Sequence, residues 1–156
     1  MSTFTRQEWA EAFLHRIGNS GPHPYLVKYV VGWSMIESSN PHNYALNNLL
    51  NTTEGGFGAE LMQAFNSVGV KQFPTFEDGV AANAVALIGG PAFFYPTLLD
   101  CLRLNHGQPL IDATPEIQKE LSTWGTGHAH DIAVLVASGR VRMGEAFVGR
   151  HAGEAS

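Results

Sequence analysis

Between Tyr25 and Ile36 the chain is apolar at nearly every position. Tyr25, Leu26, Val27, Tyr29, Val30, Val31, Trp33, Met35 and Ile36 leave only Lys28 and Ser34 as plainly polar interior residues. A helix with such a surface has no face to give to water, so it must be surrounded by protein. Pro22 or Pro24 can begin it, because proline's missing amide is harmless in a first helical turn. The pattern predicts a helix that runs through the middle of the domain and ends near Glu37. Everything else has to be built around it.

Thr5-Arg6-Gln7-Glu8 reads as a capping box, which satisfies free amides at a helix start. Trp9, Ala12, Phe13 and Ile17 follow at helical spacing, and Gly18-Asn19-Ser20-Gly21 stops that helix. Thr75 caps a helix through Phe76, Val80, Ala84 and Leu87 to Gly89-Gly90-Pro91, and another covers Pro96 to Leu104. Thr114-Pro115-Glu116 places cap, first-turn proline and first-turn acid in order, and its helix ends at Trp124-Gly125-Thr126-Gly127. A last helix near Asp131 to Ala137 precedes a tail containing Gly and Arg. Between 39 and 73, Asn, Pro and Gly clusters mark turns, and Gly69-Val70-Lys71-Gln72-Phe73 permits one or two short strands. The expected fold is mostly α (α+β). It is a single domain over 1–156 with about six helices around the buried one and a small loop or hairpin lobe. Loops on a rigid scaffold usually bear sites, so the lobe is the candidate functional surface.

Composition narrows the functions. The chain has 156 residues, 44% of them hydrophobic and 15% charged, which describes a globular domain rather than a disordered one. Nine Lys+Arg against fourteen Asp+Glu give a formal charge of −5, without the basic footprint that nucleic acid demands. Cys101 is the sole cysteine, which excludes an internal disulfide and any multi-cysteine metal site; a small buried thiol is its expected role. No apolar run is long enough to insert in a membrane. Met1-Ser2-Thr3-Phe4-Thr5-Arg6-Gln7-Glu8 lacks the basic and apolar regions of a signal peptide, so synthesis in the cytoplasm is expected. His128-Ala129-His130-Asp131 lacks the usual helical ligand spacing and is read as a surface loop, so no metal or other cofactor is expected. The remaining histidines give no Ser-His-Asp signature, and Gly55-Gly56-Phe57-Gly58 lacks the lysine of a phosphate loop.

Glu37 lies at the exit of the most apolar helix and faces the lobe. Desolvation disfavours a carboxylate and raises its pKa, so such a residue can stay protonated near neutrality. Cleavage of a glycosidic bond needs that, because the leaving oxygen must receive a proton as the bond breaks. The alternative is a solvated helix-end residue, but a negative charge sits badly at the partly negative helix C-terminus.

Trp33-Ser34-Met35-Ile36-Glu37-Ser38-Ser39, the later Gly69-Val70-Lys71-Gln72 and the helix after it resemble the lysozyme-like superfamily. The likeness is to soluble lytic transglycosylases and goose-type lysozymes, where a Glu-Ser pair ends a buried helix and a Gly-x-x-Gln segment lies on the facing lobe. Asn48-Leu49-Leu50-Asn51-Thr52-Thr53 and Asn66-Ser67-Val68-Gly69-Val70 are similar to segments of small lysozyme-like proteins of actinobacteria and their phages. Leu49-Leu50 stands where those relatives usually have Pro-Leu, and Ser38 where many have Gly. The resemblance covers roughly residues 5 to 127. It implies a lysozyme-like fold in which Glu37 protonates the bond between N-acetylmuramic acid and N-acetylglucosamine of a peptidoglycan glycan strand. In transglycosylases the same Glu then acts as base and a 1,6-anhydro ring closes; in hydrolases water attacks. It also implies action on the cell wall after holin-dependent release, or as part of a phage particle. A non-catalytic structural or glycan-binding module that keeps the fold is the other reading.

Asn51, Thr52 and Thr53 offer short donors and acceptors for acetamido and hydroxyl groups, although turn formation uses the same residue types. The resemblance carries over Ser38, Ser67 and Gln72 as groove residues. Tyr44 and Phe57 can line sugar subsites or belong to the core, and Trp33 is expected to be the apolar wall that desolvates Glu37. Among Glu54, Glu60, Glu77 and Asp78, the candidate second carboxylate is Glu54, which enters the Gly-rich lobe; Glu77 and Asp78 suit the first turn of their helix.

Overall fold

The computed structural model describes residues 2–90 and 93–154. It is mostly helical, with a two-stranded antiparallel sheet. Strand β1 (Ser2–Thr5) leads into α1 (Arg6–Arg16), and α2 (Pro24–Glu37) follows. After a long lobe come α3 (Phe76–Ile88), α4 (Pro96–Arg103), α5 (Gln108–Ile111), α6 (Pro115–Trp124), α7 (Ala129–Ala137) and strand β2 (Ala146–Gly149). Pro91, placed at the end of a helix by sequence reasoning, lies outside the described residues.

Local chemistry explains the helix ends. Thr5 accepts a hydrogen bond from the Glu8 amide at 3.1 Å while the Glu8 carboxylate accepts from the Thr5 amide at 3.0 Å, so the capping box is complete. Thr75 and Thr114 accept from the amides of Asp78 and Ile117, and α2 and α6 carry proline in the first turn. Helix α2 is the centre of the core. Leu26, Tyr29, Val30, Val31 and Trp33 are all within 1% of complete burial. It packs against α1 and α7, and Gly32 brings α7 close, since a Cβ there would lie 3.3 Å from Ile132.

One expectation is corrected. Gly69–Phe73 forms no strand; the lobe holds only a 3-10 turn, Ala59–Leu61, and is joined by isolated backbone bonds such as Lys71 N–H to Thr52 O at 3.0 Å. The sheet is made instead by the two ends of the chain, with Phe4 opposite Phe147 and their rings stacked at 5.7 Å. A seventh helix among the described residues, α5, is a single turn and too short to show a period.

Buried asparagines tie the lobe to the helices. Asn47 and Asn51 adopt left-handed φ values of 61° and 58°, which asparagine tolerates better than most residues. The Asn47 amide donates to Phe73 O, and the Asn48 amide donates to Thr52 O and Lys71 O. Asn48 Oδ1 in turn accepts from the Thr52 amide and from Asn83 on α3, at 3.1 and 2.9 Å. This network needs α3 to touch the lobe backbone at Gly79. A Cβ on Gly79 would sit 1.7 Å from the Asn47 carbonyl oxygen. Gly79→Ala is therefore expected to cost at least about 3 kcal/mol in denaturant unfolding, because backbone rather than a side-chain tip stands in the way. Gly55→Ala, with nothing within 4 Å, is the control and should stay within about 0.5 kcal/mol. A tolerated Gly79→Ala would show that the lobe is not held in this way.

Candidate active site

Where the chain leaves α2, three successive carbonyls, of Glu37, Ser38 and Ser39, find donors from other parts of the chain. The Asn51 side-chain amide donates to Glu37 O. Arg6 donates to Ser38 O at 2.7 Å and Arg142 to Ser39 O at 3.3 Å. Arg6 is completely buried and also binds Ser34 Oγ at 3.1 Å and Glu145 at 2.5 and 2.8 Å, with Phe147 beneath its guanidinium. Burial pushes the Glu145 carboxyl up, but hydrogen bonds from Arg6 and Arg142 outweigh it and hold it below the usual carboxylate range.

The Glu37 side chain is half-buried at this junction. Desolvation pushes its carboxyl up to about 7, against two smaller effects in the other direction: a hydrogen bond from Thr126 and the charge of His128. The Thr126 hydroxyl has a fixed direction. Trp33 Nε1 can only donate, and it donates to Thr126 Oγ1 at 2.9 Å. The hydroxyl proton is then free for Glu37 Oε1 at 3.1 Å. With Oε1 occupied as an acceptor, a proton carried by Glu37 belongs on Oε2. The turn that presents Thr126 depends on left-handed glycines on both sides, Gly125 at φ 109° and Gly127 at φ 65°.

Beside this junction lies a furrow of about 130 Å³. It is lined by Asn51, Thr52, Thr53 and Glu54 of the lobe and by the aromatic residues Phe93, Tyr95 and Trp124. Trp124 is fixed by its ring nitrogen on Leu50 O at 2.8 Å and by edge contacts with Trp33 and Tyr95 at 5.1 and 5.5 Å. Thr123 is shared with a second depression of about 410 Å³ that includes Phe94 and Lys119, so the surface hollow continues along α6.

The expected site residues divide. Asn51, Thr52, Thr53 and Glu54 line the furrow, and Asn51 ties them to the end of α2, while the Glu37 side chain stands at the helix end outside that lining. Thr52 is buried, and its hydroxyl accepts from the Glu54 amide at 3.0 Å, while Thr53 and Glu54 are exposed. Ser38 takes a structural position. It is buried and its hydroxyl donates to Leu49 O at 2.9 Å. The Tyr44 hydroxyl donates to Val148 O at 2.6 Å and its ring packs on Phe147 at 4.7 Å, which ties the lobe to β2, and with Gln72 it lines a separate surface depression of about 390 Å³. Gln72 uses both ends of its amide to hold Leu46 and Gln63, and Ser67 lies exposed in a turn away from the furrow's lining. Phe57 is exposed and outside that lining. Glu77 accepts from the Ala152 amide and pairs with His151, and Asp78 accepts from Thr75, so both serve structure. Cys101 is buried, and its thiol is pushed up to about 11 by desolvation first and by Glu120 and Asp100 next.

Sequence reasoning missed Thr126, Tyr95, Phe93 and Arg6. A hydroxyl between two glycines after a helix end is the trace Thr126 leaves in the sequence. Arg6 leaves none, because its position beside an acidic first turn reads as solvated. Compared with protein-family models, with curated proteins and with solved structures, the chain matches none of them.

Thr126→Val removes the donor to Glu37 and strands the buried Trp33 N–H. The Glu37 midpoint, followed by carboxyl-carbon NMR, should rise above about 7. Stability should fall by about 1–3 kcal/mol for the unpartnered indole nitrogen. An unmoved midpoint would show that Thr126 does not act on the carboxyl.

Proposed function

We propose that this chain is a lysozyme-like enzyme that cleaves peptidoglycan glycan strands, with Glu37 as general acid. The observation that carries the reading is a carboxyl at the mouth of a buried helix, pushed up to about 7, with Oε1 hydrogen-bonded by Thr126. General acids work best when their pKa lies near the working pH. The proton on Oε2 goes to the leaving glycosidic oxygen as the C1–O bond breaks, and Glu37 becomes the carboxylate. The furrow suits a sugar chain. Its aromatic side can stack on the apolar faces of the rings, and Asn51, Thr53 and Glu54 offer donors and acceptors to acetamido and hydroxyl groups. Among the acidic residues weighed as a second carboxylate, Glu54 is the one that lines the furrow.

Glu37→Gln should abolish release of muropeptides from purified peptidoglycan while circular dichroism stays unchanged. The wild-type rate should fall about tenfold per pH unit above about 7, as the acid form is lost. Wild-type protein that binds glycan strands but releases nothing would establish the binding-module reading instead. Mass spectrometry separates the two chemistries, since anhydro and reducing ends differ by one water.

The same substitution has a stability signature. Glu37 has a folded pKa above the ordinary carboxyl value of 4.5, so its contribution to stability is full below about 4.5 and lost as pH rises through about 7. Glu37→Gln should therefore be more stable than wild type at pH 8, by about 3 kcal/mol at most, with the difference vanishing near pH 4. Equal stability at both pH values would show that the carboxyl is well hydrated.

A further inference from the structure

Glu37 is held at two points. Thr126 donates to Oε1 of its carboxyl, and the Asn51 side-chain amide donates to its main-chain carbonyl. Asn51 is also one of the residues that line the furrow, so it belongs to both places. A carbonyl oxygen can only accept, so the NH2 half of the Asn51 side chain faces Glu37 O and Oδ1 is the half left over. Among the described residues no donor engages that oxygen.

The two residues before Asn51 are fixed to the same surroundings. Ser38, the first residue after α2, donates to Leu49 O at 2.9 Å, and Trp124, in the furrow lining, donates to Leu50 O at 2.8 Å. Leu49 and Leu50 are completely buried. Leu49, Leu50 and Asn51 thus form a strap that joins the furrow to the end of α2, with one hydrogen bond at each residue. The left-handed φ of 58° at Asn51 does not explain its side chain, because glycine adopts that conformation with none.

We infer that Asn51 is a positioning residue that transmits occupancy of the furrow to the peptide of Glu37, an inference that rests on the glycan-cleaving function proposed above. A hydroxyl or acetamido N–H of the sugar donates to Oδ1. The side-chain amide is then polarised and donates more strongly to Glu37 O, since hydrogen bonds in a chain reinforce one another. A ring stacked on Trp124 bears on the same strap through Leu50 O. Substrate thereby tightens the hold on the residue that must present its proton. No proton passes through Asn51, and Glu37 remains the acid.

Tri-N-acetylchitotriose titrated into the protein tests the link. The Glu37 carbonyl carbon, followed by NMR, reports the hydrogen bond it accepts, while the Trp124 indole and Thr53 signals report the furrow. In the wild type all three should move together along one binding curve. In Asn51→Gly, which keeps the left-handed backbone, the furrow signals should still move and the Glu37 carbonyl should not. Asn51→Asp keeps an acceptor for the sugar and loses the donor to Glu37. On purified peptidoglycan it should lose about tenfold in kcat with KM little changed, the split expected when a reacting group is misplaced but binding is intact. Furrow signals that move while the wild-type Glu37 carbonyl stays put overturn the inference and leave the glycan-cleaving function standing. A carbonyl that still responds in Asn51→Gly, or an unchanged kcat in Asn51→Asp, overturns it too. Furrow signals that never move overturn both. A wild-type carbonyl response in a protein that releases no muropeptides supports the link and discards the cleavage.

Discussion

The buried C-terminus of α2 is the constraint from which the rest follows. A helix end inside a protein cannot leave its carbonyls without donors, since each would forfeit hydrogen bonds that water supplies in the unfolded chain. Here the donors to Glu37 O, Ser38 O and Ser39 O come from the lobe, from the first residue of α1 and from the segment before β2. Three stretches far apart in sequence thus meet at one point. The terminal sheet, the lobe and the central helix are mutually positioned by it, and so is the carboxyl that emerges there.

Two arginines at the same place raise the question of why Glu37 is not simply an ion-paired carboxylate. Their charge is already used. Arg6 is forked between Glu145, Ser34 and Ser38, and Arg142 reaches Glu145 and Ser39. What remains for Glu37 is one hydroxyl and the more distant His128, and desolvation outweighs both. The helix dipole acts in the same direction, because its negative end disfavours a second negative charge. Satisfying the helix end and sparing the acid are consequences of the same network.

Much of this was legible in the residues and some of it could not be. Helix α2 announced itself by having no polar face, and Glu37 by ending it. Caps at Thr5, Thr75 and Thr114 could be read because capping is local chemistry. The terminal sheet could not, since four residues in each strand give almost no period and the pairing partner lies at the other end of the chain. Arg6 was hidden for the same reason, because its burial depends on Glu145 and Phe147. The resemblance puts Ser38 and Gln72 in a groove, and Tyr44 can line a sugar subsite or join the core, yet in the structure each of their polar atoms is consumed by a backbone partner. Composition reports which hydrogen bonds a residue can make, not with whom it makes them.

That distinction shapes what the furrow can recognise. Of the asparagine-rich segment, Asn47 and Asn48 are fully buried, Asn51 is bound to the helix end, and Thr52 closes its own turn. Polar groups free for a ligand are therefore fewer than the sequence suggests, chiefly those of Thr53 and Glu54. The rest of the lining is largely aromatic, with Trp124 held by Leu50, Trp33 and Tyr95. A site of this kind reads shape and ring faces rather than charge. Under the proposed function, an acidic chain with such a site needs no basic surface to bind a sugar polymer, because flat apolar ring faces stack against Trp124.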